Sequence, residues 1–346
     1  MEFKNILLIR TDRIGDVILT TPAITLLHQR FPETKIYFLT REYTAPLLKY
    51  HRFLHDTIIY DPERNHRGLK GHLKLARQLQ SLNIDAAFLF FPQPALALTL
   101  WLARIPLRVG SGYRWYSIFL NHRIFEHRKH GKKHELEYNL SLLKDFVHTL
   151  PAPTEINFHF ELDADLQKKR TEALKKIAVN GDYIIIHPGS GGSAPILPSY
   201  MYSRIVEYLV KTTDNDIILA GTASEKDLLY SICDGQHEKV HIIAGSWDLE
   251  TYMAVISGCR LFISNSTGPT HIARAWNRPL LAFYCPALPY SPKRWGPYAW
   301  NHSVLVPPIN VPERCNTKVC PHNNCLAQIP WENIKNALNC KLKTAD

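Results

Sequence analysis

A carboxylate that follows the first predicted strand is the residue best placed to do chemistry. Asp16 lies after the run Asn5–Arg10 and a turn containing Gly15, which permits a tight bend, and it falls in the first turn of a predicted helix. A carboxylate there can remove a proton from a substrate hydroxyl, or it can cap the helix and complement its dipole. The turn has one glycine and is not a G-x-G-x-x-G nucleotide loop. From the local residues alone both roles of Asp16 stay open, and capping is the commoner one.

Two later turns have the composition of phosphate-binding loops. The first follows a buried strand at Tyr183–His187, and its backbone N–H groups can surround phosphate oxygens unless it is a plain flexible connection. The second follows a strand at Leu261–Ser264 and starts a helix with Pro269, so free N–H groups would suit a diphosphate there. His271 can donate to the same oxygens or lie in the core. The candidate phosphate-binding residues are Ser190, Gly191, Gly192, Ser193, Ser266, Thr267, Gly268 and His271.

Acidic residues elsewhere are weaker indicators of a functional site. Glu225 follows another strand and is placed to accept from a ribose hydroxyl pair, although a helix cap by Thr222 or Ser224, with Glu225 in the first turn, is the commoner arrangement. The pairs at 163–165 and 214–216 are Asp-x-Asp sequences of the kind that hold a divalent ion. Neither pair follows the carboxyl end of a predicted strand. We therefore predict caps and turns there, and no metal site.

The cysteines are expected to be thiols. Cys233, Cys259 and Cys285 lie in apolar surroundings typical of a core. Cysteines also recur every five residues in a loop around His322, a spacing that fits no common zinc pattern closely and that would need His322 or Cys340 to complete four ligands. Whether this loop binds a metal stays open. The three loop cysteines are Cys315, Cys320 and Cys325.

Elements that would position these residues alternate between strand and helix in both halves of the chain, which indicates parallel sheets. The predicted strands are 5–10, 35–40, 57–60, 86–90, 183–187, 217–220, 240–244, 261–264 and 280–284. The predicted helices are 15–30, 41–50, 71–82, 93–103, 134–148, 200–212, 224–234, 249–258 and 269–276. We predict an α/β protein with one domain at 1–150, a Pro-rich linker at 151–165, a second domain at 166–330 and a C-terminal helix at 331–346. Ligands of two doubly wound domains are expected in the cleft that faces the carboxyl ends of both sheets.

Composition and charge narrow the class further. The 346 residues are 45% hydrophobic and 21% charged, as in ordinary globular proteins, and no export signal or membrane span is expected. The net charge of +10 indicates an anionic partner. Between Arg104 and Lys133 eight basic residues face one acid, Glu126, which predicts either a solvated face or a surface for an acidic acceptor or anionic lipid. This segment has no nucleic-acid recognition motif, so nucleic acid is not an expected partner.

Across nearly the whole chain, the ordered motifs resemble glycosyltransferase family 9, the bacterial lipopolysaccharide heptosyltransferases. The matching segments are Arg10–Val17, His187–Ser193, Gly221–Glu225, Ser264–Ala273 and Arg294–Tyr298, together with the cysteine-bearing tail.

The resemblance implies a GT-B fold with two Rossmann-like domains facing a central cleft, an acceptor-binding domain at 1–150 and a nucleotide-sugar-binding domain at 166–330. It implies inverting transfer from a nucleotide diphosphate sugar, usually ADP-heptose, without a cofactor or an essential metal. Asp16 would be the general base, the two later turns would supply the donor-binding residues, and Glu225 would contact the donor ribose. The acceptor would be an acidic glycolipid at the inner face of the cytoplasmic membrane. Its expected contacts are Arg13, Arg114, Lys132 and Lys133.

This chain departs from the family pattern at two places. Ser266 stands where the family often has an Asp that contacts the donor sugar, so a different nucleotide-activated sugar is an alternative to heptose. Residues 194–197 read Ala-Pro-Ile-Leu where many members carry Lys or Arg, and Lys226, Lys293 and Arg294 are the candidates to replace that charge. A sugar-nucleotide or glycan-binding protein without turnover is the alternative from another class.

Overall fold

The computed structural model describes residues 2–128, 131–234, 237–300, 303–310, 315 and 324–344. The chain divides into two compact units, Met1–Glu161 and Leu162–Asp346. Each unit is built around one six-stranded sheet in which every pair of neighbouring strands is parallel.

Strands and helices alternate in the first unit. Its strands are β1 Asn5–Ile9, β2 Lys35–Thr40, β3 Asp56–Ile59, β4 Ala86–Leu89, β5 Leu107–Ser111 and β6 His122–Ile124. Its α-helices are α1 Ile14–Ile18, α2 Pro22–Arg30, α3 Gly68–Ser81, α4 Pro94–Leu102 and α5 Glu135–Leu140. Short 3₁₀ helices lie at Glu42–Leu47, Trp115–Phe119, Ser141–Leu143 and Pro153–Glu155.

The second unit repeats the alternation. Its strands are β7 Tyr183–His187, β8 Asp216–Gly221, β9 Val240–Ala244, β10 Leu261–Asn265, β11 Leu280–Phe283 and β12 Val304–Leu305. Its α-helices are α6 Ala164–Lys176, α7 Ser199–Thr212, α8 Lys226–Ile232, α9 Leu249–Ile256, α10 Gly268–Ala275, α11 Pro292–Trp295 and α12 Trp331–Thr344. Its 3₁₀ helices include Ala223–Glu225, Leu288–Tyr290 and Cys325–Gln328.

Strand order places the functional loops. The first sheet runs β3-β2-β1-β4-β5-β6, and the second runs β12-β11-β10-β7-β8-β9, which is the same doubly wound order read from the other edge. The order reverses between β1 and β4 and between β7 and β10, so the loops that leave these strands at their carboxyl ends diverge and open a crevice. The turn carrying Asp16 follows β1, the glycine loop follows β7, and the turn carrying Thr267 follows β10.

Continuous apolar runs explain why these strands are central. Residues 6–9 of β1 and 184–186 of β7 are fully buried, as expected for parallel strands covered by helices on both faces. The apolar core of the second unit extends to α12 through Ile334 and Leu338, so this helix packs on the second sheet. The sheets are therefore rigid platforms for the loops at their carboxyl ends.

The structure corrects several boundaries predicted from the sequence. The single helix predicted over 15–30 is divided at Leu19–Thr21, because Pro22 lacks an N–H group and would clash with the carbonyl of Ile18 in a continuous helix. The helix predicted over 41–50 is a 3₁₀ helix with Pro46 inside it. Strands β5 and β6 were not predicted, because Arg108, Gly110 and three-residue length give a weak strand pattern.

Candidate active site

Arg10 organises the loop that follows β1. Its side chain is buried, and its guanidinium group donates to Asp12 Oδ1 at 2.7 Å, to Asn139 Oδ1 at 3.0 Å and to Asp16 Oδ1. A third carboxylate, that of Glu135, lies 3.5 Å from Nη2. The five donors of a planar guanidinium group suit this role, because they orient several oxygens at once.

Asp16 lies in the first turn of α1, but its side chain makes no capping hydrogen bond. The N-cap position is Arg13, which has no side-chain cap either. The carboxylate accepts from Arg10, and the backbone carbonyl of Asp16 accepts from the Thr20 hydroxyl at 2.8 Å. The hydrogen-bonding cap that the sequence favoured is therefore not formed, although the acidic charge still complements the helix dipole.

Burial gives Asp16 an unusual proton affinity. Only 9% of the residue is exposed, and this desolvation raises the pKa of its carboxyl from 3.8 to about 6, against the opposing charge of Arg10. The charges of Asp12 and Glu135 add to the rise. A carboxyl group with a pKa close to physiological pH is ionised in the cell and still accepts a proton readily.

A second segment of the first unit completes the cluster. Glu135 is 2% exposed and accepts from Arg128 Nη1 as well as from Arg10. Asn139 donates from Nδ2 to the Leu19 carbonyl at 3.1 Å and to the Thr20 hydroxyl at 3.0 Å. Three carboxylates thus face two guanidinium groups, and the excess negative charge favours proton uptake by the cluster.

Sequence reasoning missed Arg10, Arg128, Glu135 and Asn139 as site residues. More than 110 residues separate Arg10 from Glu135 and Asn139, and only the fold brings them together. Arg128 had been grouped with a basic surface, whereas it is partly buried against Glu135 and the ring of Tyr138. The available signal was a run of two acids, Glu135 and Glu137, at the start of a predicted helix.

In the second unit, Asn265 anchors the glycine loop to the end of β10. Its fully buried side chain donates to the Pro188 carbonyl at 2.5 Å and accepts from the Leu197 backbone N–H at 2.9 Å. The loop between these two points has left-handed backbone at Gly191 (φ +54°) and Gly192 (φ +72°), which glycine adopts without strain. The ends of the loop are fixed, and its tip is held by other contacts.

Glu225 holds the tip of this loop. Its Oε1 atom accepts from the Gly191 N–H at 3.2 Å, and its Oε2 atom accepts from the backbone and hydroxyl of Thr222, both at 2.9 Å. Burial opposes its ionisation, but hydrogen bonds from Thr222 and Gly191 contribute to a lowered pKa, so the carboxylate is charged. A Cβ on Gly189 would lie 1.8 Å from Oε1. The Thr222–Glu225 cap considered from the sequence is present, and Glu225 also positions the glycine loop.

A cavity of about 610 Å³ opens beside this arrangement, within the range of small-molecule sites. Its lining includes four of the predicted donor-binding residues, Ser190, Gly191, Gly192 and Glu225. Ser193 is not part of this lining, and its hydroxyl donates to the Ser190 carbonyl at 2.7 Å. Ala194, Pro195 and Ile196 form an apolar part of the lining at the place where a basic residue was expected.

The predicted turn after β10 is joined to the glycine loop through the backbone of β10. Thr270 donates to the Asn265 carbonyl at 2.8 Å and pairs with the Ser264 hydroxyl at 2.8 Å, which fixes the first turn of α10. Thr267 is the extended N-cap residue and has no side-chain cap. His271, in the same helix, is 4% exposed. Ser266, Thr267, Gly268 and His271 do not line the cavity but follow the neighbouring strand.

Thiols line the same cavity. Cys285, predicted as a core residue, is buried, and hydrogen bonds from Cys325 and Cys315 lower the pKa of its thiol to about 6 although burial opposes ionisation. Cys320 and His322 lie outside the described residues. Among the residues that the structure does describe, no group of three or more His, Cys, Asp and Glu side chains is arranged to hold a metal ion.

The basic segment has two kinds of side chain. Arg108 donates to the carbonyls of Phe119 and Ile105 within the fold, as Arg128 does to Glu135. The proposed acceptor contacts Arg13, Arg114, Lys132 and Lys133 are exposed, and Lys133 pairs with Glu126. The segment is therefore only in part a solvated face.

Comparison with known proteins places the chain in a family. Residues 72–325 match the model of glycosyltransferase family 9 (heptosyltransferase). A putative glycosyltransferase of Haemophilus influenzae is 28% identical over 94% of this chain and 96% of the relative, and lipopolysaccharide heptosyltransferase 3 of Escherichia coli is 25% identical over 78% of this chain and 79% of its own.

Solved structures have the same fold. A family 9 glycosyltransferase from Veillonella parvula superposes with a TM-score of 0.84 at 19% identity, covering 99% of this chain and 98% of its own. ADP-heptose lipopolysaccharide heptosyltransferase II of Escherichia coli has a TM-score of 0.79 at 22% identity, with 99% of each chain covered.

The two doubly wound domains are those of a GT-B protein. The chain belongs to glycosyltransferase family 9, and it is a glycosyltransferase. The fold class and the family expected from the motifs are both confirmed. No helix in the part of the chain that the structure describes is long and apolar enough to cross a membrane.

Proposed function

We propose that this enzyme transfers heptose from ADP-heptose to an inner-core sugar of a lipopolysaccharide acceptor, with inversion and without an essential metal, at the inner face of the cytoplasmic membrane. The observation that carries the proposal is the Asp16 carboxyl, which Arg10 orients at the carboxyl end of β1 and whose pKa is raised to about 6. Support for the reaction class comes from relatives that are lipopolysaccharide heptosyltransferases.

Asp16 acts on the acceptor. An acceptor hydroxyl attacks the anomeric carbon from the face opposite the diphosphate, the new carbon–oxygen bond forms as the bond to the diphosphate breaks, and the hydroxyl proton passes to the Asp16 carboxylate. Inversion follows from attack on the opposite face. A positioned base of this kind contributes about 10²- to 10⁴-fold to the rate.

Arg10 has a positioning role in this proposal. Its contacts with Asp12 and Asn139 fix the guanidinium group, and the guanidinium group fixes the Asp16 carboxylate. When Asp16 takes up the proton, Arg10 keeps the partners Asp12 and Glu135, so the buried cation is not left unpaired.

The donor is proposed to bind the second unit. The Gly192 N–H group and the hydroxyls of Ser190 and Ser193 would contact the nucleotide sugar beside the Gly191 backbone. Glu225, which accepts from the Gly191 N–H, would accept from the ribose while holding the loop. The departing diphosphate carries negative charge. Donors at the N-terminus of α10, around Ser266, Thr267, Gly268 and His271, would stabilise that charge in the transition state.

Charge neutralisation without a metal requires cations from the protein. Lys226, Lys293 and Arg294 are the proposed sources, since Ala194 and Pro195 occupy the position where a basic residue was expected. Lys226 is the first residue of α8 and directly follows Glu225, which lines the cavity. The acidic groups of the acceptor would bind Arg13, Arg114, Lys132 and Lys133.

A second donor class is favoured by one residue. Ser266 has a hydroxyl at the position where the family resemblance leads us to expect a carboxylate toward the sugar, so a nucleotide-activated hexose or deoxysugar is the alternative to heptose. A hydroxyl can both donate and accept a hydrogen bond, whereas a carboxylate only accepts. The two proposals differ in the sugar and share Asp16.

Two measurements test these proposals. Thermal unfolding with a panel of nucleotide sugars should show stabilisation by ADP-heptose, because a ligand that binds only the folded state raises the melting temperature. Stabilisation by another nucleotide sugar alone would favour the Ser266 alternative. Transfer to a deep-rough lipopolysaccharide acceptor should persist in EDTA, and strict dependence on added Mg²⁺ or Mn²⁺ would contradict the metal-free mechanism.

A pair of variants tests the base. Asp16→Ala should lower kcat by at least about 10²-fold. Asp165→Ala is the matched control, since Asp165 is also an acid in the first turn of a helix and should leave turnover unchanged. Wild-type turnover by Asp16→Ala would exclude the catalytic role. Binding of nucleotide sugar by the wild type without turnover on any acceptor would favour a binding protein instead.

A further inference from the structure

Large apolar side chains are concentrated on one surface of the first unit. In the described part of the chain, thirteen such side chains are exposed, and five of them lie between residues 101 and 125. We name these five the 101–125 surface. Its members and their exposed fractions are Trp101 (51%), Tyr113 (45%), Trp115 (73%), Ile118 (64%) and Phe125 (64%).

The fold brings these side chains to the same part of the unit. Trp115 and Ile118 are three residues apart in a 3₁₀ helix, which has three residues per turn, so they project from the same side. The Gly112 N–H donates to the Ile124 carbonyl at 3.0 Å, and the rings of Tyr113 and Phe125 meet edge to face with centroids 5.4 Å apart. Trp101 reaches the same 3₁₀ helix through the ring of Phe119, at 5.9 Å.

Basic side chains are interleaved with the apolar ones. Arg104, Arg114 and Arg123 are exposed between Trp101 and Phe125, and Glu126, the acid that follows, is paired with Lys133. Arg123 also donates to the Leu120 carbonyl at 3.3 Å. The other two arginines of the segment, Arg108 and Arg128, are partly buried and hydrogen-bonded within the fold. The exposed charge of this surface is therefore positive.

We propose that the 101–125 surface docks on a bilayer containing anionic lipid, with Trp115 and Ile118 entering the headgroup region and the arginines contacting lipid phosphates. Trp and Tyr prefer the membrane–water interface, Phe is common on the apolar face of segments that lie in it, and each nearby Arg or Lys strengthens binding to anionic lipid by about fivefold. Two copies of this surface would repel each other, because both carry the exposed arginines. The inference rests on the proposed function for its purpose, since docking would hold the enzyme beside a glycolipid acceptor.

Co-sedimentation with lipid vesicles tests the proposal. The wild-type protein should bind vesicles of phosphatidylcholine and phosphatidylglycerol, without donor or acceptor, and should bind pure phosphatidylcholine at least tenfold more weakly. Trp115→Ser combined with Ile118→Ser should weaken binding to the mixed vesicles by about tenfold or more. Tyr200→Ser is the matched control, because Tyr200 is 60% exposed in the second unit and should have no effect.

A further pair of measurements separates this proposal from the proposed function. Arg104→Gln and Arg114→Gln should each weaken binding to the mixed vesicles by about fivefold and leave binding to pure phosphatidylcholine unchanged. Arg104→Gln should also keep its turnover on a water-soluble acceptor oligosaccharide. Absence of transfer by the wild type would contradict the proposed function and leave vesicle binding measurable. Absence of vesicle binding by an active wild type would contradict the docking surface alone.

Wild-type vesicle binding by a correctly folded Trp115→Ser, Ile118→Ser protein would overturn the proposal. Failure of the wild-type protein to bind the mixed vesicles would also overturn it. If that protein forms a dimer in sedimentation velocity and the double variant does not, the surface is covered by a second copy instead. Thermal unfolding of the variants at the wild-type temperature confirms that they are folded.

Discussion

Replacement of Asp16 by Asn should separate stability from activity. The amide keeps the size of the side chain and removes its charge from a cluster in which the acids Asp12, Asp16 and Glu135 surround Arg10 and Arg128. The variant leaves two carboxylates facing two guanidinium groups, so the cluster becomes neutral. Because the ionised Asp16 is buried at a cost, we expect Asp16→Asn to be more stable than the wild type and much less active.

The magnitude follows from the raised pKa of Asp16. The folded protein holds the Asp16 proton up to a pH of about 6, whereas the unfolded chain releases it near 3.8, so the folded state loses stability as the pH rises from about 4 to about 6. The difference corresponds to up to about 3 kcal/mol above pH 7, and it vanishes below pH 4. For a unit of about 160 residues this is a rise in Tm of roughly 6 to 12 °C.

Thermal and urea unfolding of both proteins between pH 4.5 and 8 would measure this difference, with transfer assays on the same samples. We expect the stability gain of Asp16→Asn to be largest above pH 7 and to shrink toward pH 4.5. Its kcat/KM should be about 10²-fold or more below that of the wild type at pH 8, and the difference should narrow below pH 6 as the wild-type Asp16 becomes protonated. A variant less stable than the wild type at pH 8 would refute the reasoning, because the Arg10–Asp16 ion pair would then outweigh desolvation and the pKa would be depressed.

Three other changes have expected outcomes. The wild-type kcat/KM should fall about tenfold for each pH unit below about 6, as Asp16 becomes protonated, and a profile that is flat down to pH 5 would argue against Asp16 as the base. Gly189→Ala should raise the donor KM by tenfold or more, because its Cβ would displace the Glu225 carboxylate. Gly181→Ala is the control, since a Cβ on Gly181 meets open space. Equal KM values for the two variants would contradict the role of Glu225 in shaping the donor loop. Glu135→Gln also makes the cluster neutral, but it removes the one carboxylate that lies within ion-pair distance of Arg128 among the described residues, so it should destabilise the first unit by about 3 kcal/mol in urea unfolding. An unchanged midpoint would show that Arg128 finds another partner.

Strand periodicity made much of the fold predictable. β1 and β7 are apolar runs bounded by turn residues, and each run is followed at once by residues with chemical functions, so Asp16 and Gly191 could be located at carboxyl ends of parallel strands before the strand order was known. Short or interrupted elements were not predictable in this way. β5 and the break before Pro22 depend on local details that hydrophobic periodicity does not record.

Tertiary structure gives Glu225 a second role. In the sequence its neighbours Thr222 and Ser224 indicate a helix cap, and the cap is present. Its hydrogen bond from the Gly191 N–H joins the turn after β8 to the loop after β7, because these strands are neighbours in the sheet. A residue that appeared to serve only its own helix therefore also shapes the candidate donor loop.

The sequence by itself determined where a candidate base lies and what kind of group it is, because strand, turn and acid are encoded within a dozen consecutive residues. Only the tertiary structure decided that Asp16 is tied to Arg10 rather than bonded to its own helix, and that Glu135 and Asn139 join it. The physical reason is that proton affinity depends on burial and on all nearby charges, and residues more than a hundred positions apart share one environment only after the chain has folded.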